Sequence, residues 1–511
     1  MNKSVVVIGG GMGALFSGAF LAKEGYQVTI LEKNHTIGGG LQCFIHHGDL
    51  FETGMHILGG FQKGGSLYKI CTYLDIMDKL SIRHTDDDAI DSVTYLKDNK
   101  TYYIPKGREA FVRYLASEFP EEKDNIQAYT DELYRLSEEV DLFYLKKSVI
   151  TLYSHSEHFL WAADELIAHY VKNPKLQDLL GYMNPMYGGV AHHTPAYIHA
   201  LINVLYINGS SRFNDGSQQL ADLLGKVILD GGGRILTDER VTEVAVEEKS
   251  VSFVKTEKGN VYKSDYYISD IHPCALLDVI SANAFPRSYR NRLEEIPNSY
   301  SSFTAYIKFK DDSFPYINHP CYYQEDYGFV WNHDEYISGE WPRGFMYLTP
   351  PGKEQGKFAK RMIVNAIMNF NVVRKWEDTS VGHRGKEYEI WKQQHLESIL
   401  KKLELLHPGI GNAIDYAFAS SPLTIRDYYG VKEGSLYGFR KDCQNITYSQ
   451  VPIYTKVRNL LLTGQNNNLH GICGVPLTAI ETVDAIIGSG KLTDKINKKY
   501  NDLNKIEYGQ N

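Results

Sequence analysis

Gly9, Gly11 and Ala14 stand in the spacing Gly-x-Gly-x-x-Ala directly after the apolar run Val5-Val6-Val7-Ile8, and Glu32 follows Gly11 by 21 residues. Those residue types at that spacing can hold a dinucleotide. Gly9 permits a tight turn, Gly11 lets backbone approach a pyrophosphate, and a small Ala14 lets helix and strand pack closely. Gly13 falls in the same turn. Amides at the start of the following helix, and the positive end of its dipole, then face the phosphates. Glu32 offers a carboxylate to ribose hydroxyls.

The elements that must position these residues are a strand at 5–8, a helix, and a second strand at 26–31 after Gly25. A secretory leader is the competing reading of the uncharged stretch 5–22 behind Lys3. Four glycines, Gly9, Gly10, Gly11 and Gly13, would break the apolar helix that a leader needs. Gly38-Gly39-Gly40 follows, then the glycine-punctuated HHGDLFETGMHILGG. A helical region is expected over 107–206, interrupted near 184–194, with Leu160, Ala163, Leu166 and Ile167 on one stripe. From 216 to 230 the period is again helical, through Leu220, Leu223, Leu224, Val227 and Ile228, and Gly231-Gly232-Gly233 ends it. Strands are expected at 234–236, 241–247, 251–256 and 266–269, with a turn at Lys258-Gly259-Asn260.

From about 301 to 437 strands alternate with loops around one long helix that carries Trp391, Leu396, Ile399, Leu400 and Leu403. A last apolar strand, LLLTG, reaches Gly464. A loop leads to a helix expected to start at Pro476, where proline suits the first turn. The tail from Lys491 is rich in Lys, Asn and Asp and reads as solvated and partly mobile. The fold class is therefore α/β, with a discontinuous dinucleotide domain (1–65, 210–285 and 452–490). An α+β substrate domain with a helical region takes 66–209 and 286–451, and 491–511 forms a polar tail.

At 511 residues the chain exceeds one ordinary core, consistent with two domains. A net charge of −8 gives no electrostatic reason to bind nucleic acid. No later apolar run is long enough for a membrane span. The six cysteines lack CxxC spacing, which suggests reduced thiols in a cytoplasmic protein. Cys43 and Cys473 read as small packed thiols. The 37 tyrosines offer amphipathic rings that suit both packing and an apolar pocket. His46-His47 and His192-His193 are adjacent pairs whose side chains should diverge, and no metal site is expected. No nucleophile-elbow motif supports a hydrolytic triad.

Together GGGMGA, Glu32, Gly38-Gly39-Gly40, FETGMH and TGQNNNLHGICGVP resemble the flavin-dependent phytoene desaturase, carotenoid isomerase and all-trans-retinol saturase group. TGMHILGG and LLLTGQ look most like the retinol saturase branch. SPLTIRDYYG and GSLYG keep the same order, so the resemblance spans nearly the whole chain. It implies non-covalent FAD in a Rossmann-like domain of the amine oxidase and glutathione reductase type, with a substrate domain over the flavin ring. Residue by residue, it places Gly9, Gly11, Gly13 and Ala14 at the pyrophosphate and Glu32, beside Lys33, at the adenosine ribose. Gly38, Gly39 and Gly40 would pass close to the cofactor, and the Val241 backbone would meet the adenine. Gly464, Gln465, Gly471, Gly474 and Val475 would lie along the ribityl chain and ring. Many relatives carry Arg where this chain has Gly40, which leaves phosphate neutralisation to backbone amides and helix dipoles.

The implied chemistry is hydride transfer at a carbon–carbon double bond, with a proton supplied by a positioned acid. The helix expected at Pro476 would aim its positive end at charge developing on the ring. His56 is the first candidate proton donor, followed by Tyr437 and His470. Each has a structural alternative: a carbonyl-bonded His56, a packed Tyr437 ring, a loop-ordering His470. The substrate is expected to be an apolar isoprenoid or polyene, with saturation as the direction. Desaturation or cis–trans isomerisation would use the same pocket. An amine-oxidase-like enzyme and a non-catalytic prenyl or lipid carrier are the competing classes. No second GxGxxG unit appears, so a dedicated NAD(P)H domain is not expected, which leaves NAD(P)H as a transient donor and the redox partner unknown. An apolar substrate would also make peripheral membrane contact sensible.

Overall fold

The computed structural model describes residues 3–147 and 154–507. Five strands far apart in sequence form one parallel sheet. Their order is Arg234–Leu236, Gln27–Leu31, Ser4–Ile8, Tyr266–Ser269, Leu460–Leu462. The alternation within Ser4–Ile8 explains how both faces are covered. Val5 and Val7 join a core with helices Met12–Lys23, Gln218–Asp230 and Gly471–Ile487. Val6 and Ile8 join another with the antiparallel meander Val241–Glu247, Ser250–Thr256, Val261–Tyr262. A parallel sheet buried on both faces needs apolar side chains on both, which this run of Val and Ile supplies.

A second sheet has seven strands in the order Ile414–Ser420, Ser301–Phe309, Arg361–Met368, Gly344–Leu348, Cys321–Gln324, Asp91–Tyr95, Lys100–Ile104. All pairs are antiparallel except Cys321–Gln324 with Asp91–Tyr95. Helix Lys386–Leu406 packs Leu396, Ile399 and Leu403 against one face. The hairpin 91–104 lies outside what the sequence suggested, because its strands are short and flanked by polar residues.

Other elements differ from expectation in instructive ways. Among the described residues the helical region holds five α-helices, Arg108–Glu118, Lys123–Glu138, Ala163–Tyr170, Pro174–Leu180 and Ala196–Ile207. Pro120 and Pro174 each stand at the first position of a new turn, since proline cannot continue a preceding helix. Ala163, Leu166 and Ile167 are buried on one helix, whereas Leu160 sits in the turn before it. The late helix begins at Gly471, so Pro476 lies inside it and costs one backbone hydrogen bond. Within the polar tail, Lys491–Glu507 is a helix whose Leu492 and Ile496 are fully buried, and 508–511 lie outside the described residues. An i, i+4 pair of apolar residues holds a helix that composition alone marks as solvated.

Candidate cofactor and substrate site

The carboxyl ends of the parallel strands converge on one cavity of about 660 Å³. Its nucleotide end is built from backbone. Gly9 has φ +98°, a conformation that favours glycine, and its N–H donates to the Leu31 carbonyl at 2.8 Å. Gly38, at φ +117°, donates its N–H to the Gly10 carbonyl at 2.8 Å. A Cβ on Gly39 would stand 3.2 Å from the Gly11 Cα. The two glycine runs thus touch backbone to backbone, and the cavity passes over both. Gly9, Gly11, Gly13, Gly38, Gly39 and Gly40 all line it.

Several ionisable groups border that end. Glu32 accepts from the N–H of Gly10 at 2.6 Å and of Asn34 at 2.8 Å. Burial pushes its carboxyl above the usual range, against these amides, which lower it. Lys33 donates to the Asp427 carbonyl at 3.0 Å, and burial and then the neighbouring Arg240 hold it below the usual lysine range. Arg240 lines the wall beside Val241. Cations therefore do reach the nucleotide end, although Gly40 carries none. Another acid, Asp270, follows the strand Tyr266–Ser269. Sequence reading missed it, because its signal is only an acid at a strand end.

The other end of the cavity is apolar. Pro185, Met186, Tyr206, Met346, Ile367 and Leu436 line it, with Asn365 as a polar exception. Met346 and Asn365 are register partners on adjacent strands of the second sheet. Gly464, Gln465, Gly471 and Val475 lie along the same cavity. The helix Gly471–Ile487 starts here with no side chain capping its first amides. Its free N–H groups and dipole are therefore available to negative charge in the cavity.

Two of the three candidate proton donors line the cavity, His56 and Tyr437. His56 Nδ1 lies 3.2 Å from Glu52 Oε1, and both side chains are nearly buried. Glu52 ends the strand Asp49–Glu52, and the turn at 53–55 brings the ring back over it. A carboxylate on Nδ1 fixes the tautomer and leaves Nε2 for proton transfer. Tyr437 Oη donates to the Pro185 carbonyl at 2.8 Å, and burial raises its pKa. That hydroxyl proton is already committed.

His470 is not on the cavity wall. It caps the helix at Gly471, its ring 5.0 Å from the Tyr437 ring, and its Nε2 is buried without a partner. Burial first, and then Lys441, push its pKa down to about 3. A neutral imidazole cannot serve as an acid near neutrality, so the expectation of a proton donor at His470 is corrected to a structural role. Ala14 and Gly474 also stand off the wall. Ala14 is fully buried in the core, and a Cβ on Gly474 would meet the Leu469 Cβ at 2.6 Å. Both serve packing.

His192 pairs with Asp164 and His193 with Asp442, so that pair diverges. His46 and His47 do not: their rings meet at 4.4 Å, because His47 has φ +50° in a hairpin turn and strand alternation fails there. All six cysteines are free thiols, and Cys473 is buried.

Comparison with known proteins gives a consistent picture. The family described as flavin containing amine oxidoreductase matches residues 19–355. An all-trans-retinol 13,14-reductase of Homo sapiens is 25% identical, over 96% of this chain and 86% of its own. A 4,4'-diaponeurosporene oxygenase of Staphylococcus aureus is 26% identical, over 53% of this chain and 56% of its own. Among solved structures, an oxidoreductase from Methanosarcina mazei superposes with a TM-score of 0.65 at 15% identity, covering 94% of this chain and 100% of that one.

Proposed function

Because the chain belongs to the flavin containing amine oxidoreductase family, we propose that this flavin-dependent oxidoreductase saturates a carbon–carbon double bond of an apolar isoprenoid or polyene. Bound FAD would supply hydride chemistry. The residues present fit it: paired glycine runs admit a diphosphate, Glu32 offers a carboxylate to ribose, and the uncapped helix start at Gly471 favours negative charge.

One observation carries the substrate class. A single cavity runs from the glycine loops into a chamber walled by Met186, Met346, Ile367 and Leu436. A small charged amine would find little there, whereas an apolar chain would exchange water for side-chain contact. The direction is proposed from the relatives whose names denote retinol reduction and which span most of this chain.

His56 supplies the proton. Glu52 holds Nδ1, so the proton is delivered through Nε2. Tyr206 donates to the Ile57 carbonyl at 3.0 Å and braces the backbone next to His56. The apolar chamber excludes water from the reacting carbons. Among the described residues no single helix is long and apolar enough to cross a membrane. We propose that the substrate reaches the cavity from a membrane surface by peripheral contact. A redox partner, NAD(P)H among the candidates, would restore the reduced cofactor.

The test is extraction of the purified flavoprotein, with mass identification of co-purified apolar molecules. An isoprenoid or polyene, or its dihydro product, is expected. Extracts that hold only amines would overturn the substrate class.

A further inference from the structure

Asp270 occupies a position that the proposed chemistry leaves unused. It follows the strand Tyr266–Ser269, and its own N–H donates to the Ile8 carbonyl at 2.9 Å, which fixes it beside the dinucleotide turn. A Cβ built on Gly11 would stand 2.6 Å from Asp270 Oδ2, and one on Gly464 would stand 2.5 Å from Oδ1. The carboxyl therefore lies against both glycines, each of which lines the cavity. The backbone amides of Ala14 and Gly11, at the start of helix Met12–Lys23, act on it to lower its pKa, and a Cβ on Gly13 would stand 2.4 Å from Oδ1. Those amides are the donors that a dinucleotide turn presents to a diphosphate. An acid thus sits where phosphate charge is expected.

We propose that Asp270 is a residue of the diphosphate site that holds the amides of the turn in the empty protein and takes up a proton when the dinucleotide binds, so that it donates a hydrogen bond to the phosphate rather than repelling it. This rests on the reading of the cavity as an FAD site.

The electrostatics agree with the geometry. Burial first, then the charge of Glu32, push the Asp270 carboxyl up to about 7, against the Ala14 and Gly11 amides, which lower it. A diphosphate brought to the same amides raises it further. The other groups on the surrounding elements are engaged elsewhere or lie further along the wall. Glu32 is held by Gly10 and Asn34, and Lys33 by the Asp427 carbonyl. His272 is bonded to Asn298 and to the Cys274 N–H, with its pKa pushed down to about 4 by burial. Arg240 and Asp278 line the adenosine side of the cavity.

The sign follows from linkage. Binding takes up a proton, so affinity falls as pH rises above the pKa of the empty site, by up to about tenfold per pH unit. The purified flavoprotein is diluted into buffers between pH 6 and 9, and released FAD is read by recovery of its free fluorescence. The dissociation constant should rise close to about tenfold from pH 8 to 9. Asp270→Asn, which keeps the shape and cannot ionise, should flatten that dependence and bind more tightly at pH 9. A second readout needs no variant: at pH 8 in weak buffer, FAD release from the wild-type protein should free about one proton per flavin. A flat pH dependence in the wild type, an equal slope in Asp270→Asn, or release with no proton would overturn the inference while leaving the FAD site intact. Protein that holds no FAD at any pH would instead overturn the reading beneath it.

Discussion

At the scale of residues, the account turns on His56 and on the glycine that cannot be anything else. His56 stands on the cavity wall with its Nδ1 tied to Glu52. Removing a positioned acid costs on the order of 10²–10⁴-fold in rate. His56→Phe should slow turnover by that order while the purified variant keeps its flavin absorbance. Glu52→Gln should cause a smaller loss, because Nε2 remains while the carboxylate that orients the ring through Nδ1 is gone. Unchanged turnover in both would remove this pair from the mechanism. Gly11→Val would press a branched side chain into the Asp270 carboxylate, whose Oδ2 stands 2.6 Å from where its Cβ would lie. It should purify folded and colourless, as read by circular dichroism and absorbance at about 450 nm, a band owed to the cofactor; a full flavin spectrum would contradict the role given to the turn.

At the scale of elements, helix Ala196–Ile207 shows what holds the substrate side together. It is buried on nearly every face. Its His199 lies between Tyr129 Oη at 2.6 Å and Tyr187 Oη at 2.8 Å, and burial pushes its pKa down to about 3. The folded value lies below the unfolded value, so this histidine's contribution to stability is complete above about pH 6.5. It is lost as pH falls toward the folded pKa, because only the unfolded chain takes up the proton. Between pH 7 and 5 that amounts to about 2 kcal/mol. His199→Gln, less stable overall, should lose about that much less over the same interval in denaturant titrations; an unchanged difference would show that the ring is already charged in the native protein. Helices such as Gln218–Asp230 and Lys386–Leu406 were legible because their apolar residues recur at helical spacing, and parallel strands such as Ser4–Ile8 and Leu460–Leu462 because each holds a short unbroken apolar run. The hairpin 91–104 was not, because long-range pairing decides its short strands, and in the C-terminal helix the polar composition masks Leu492, Ile496, Tyr500 and Leu503, which do recur at helical spacing.

At the scale of the whole molecule, one binding cleft is assembled from pieces more than four hundred residues apart. Gly13 lies so near Gly464 that a Cβ on it would stand 2.8 Å from the Gly464 N. The sequence revealed the nucleotide end of this cleft through glycines whose spacing has few other uses. It revealed the chemistry less well. His470 was expected after His56, and position separates them: His470 stands at a helix N-cap off the cavity wall, with burial pushing its pKa down to about 3, whereas His56 lines the cavity beside a carboxylate. Asp270 gave no signal at all, because an acid at a strand end acquires meaning only from the turn that folds against it.

The central claim is that this cleft delivers hydride and a proton to a double bond of an apolar chain. The most direct measurement is a single turnover without oxygen. The flavoprotein is chemically reduced, mixed with a polyene alcohol or a carotenoid, and followed at about 450 nm, where oxidised flavin absorbs. The account predicts that the flavin band returns while a product heavier by two hydrogens appears in equal amount. A band that stays bleached with every polyene, in protein whose oxidised flavin is instead bleached by an amine, would contradict it.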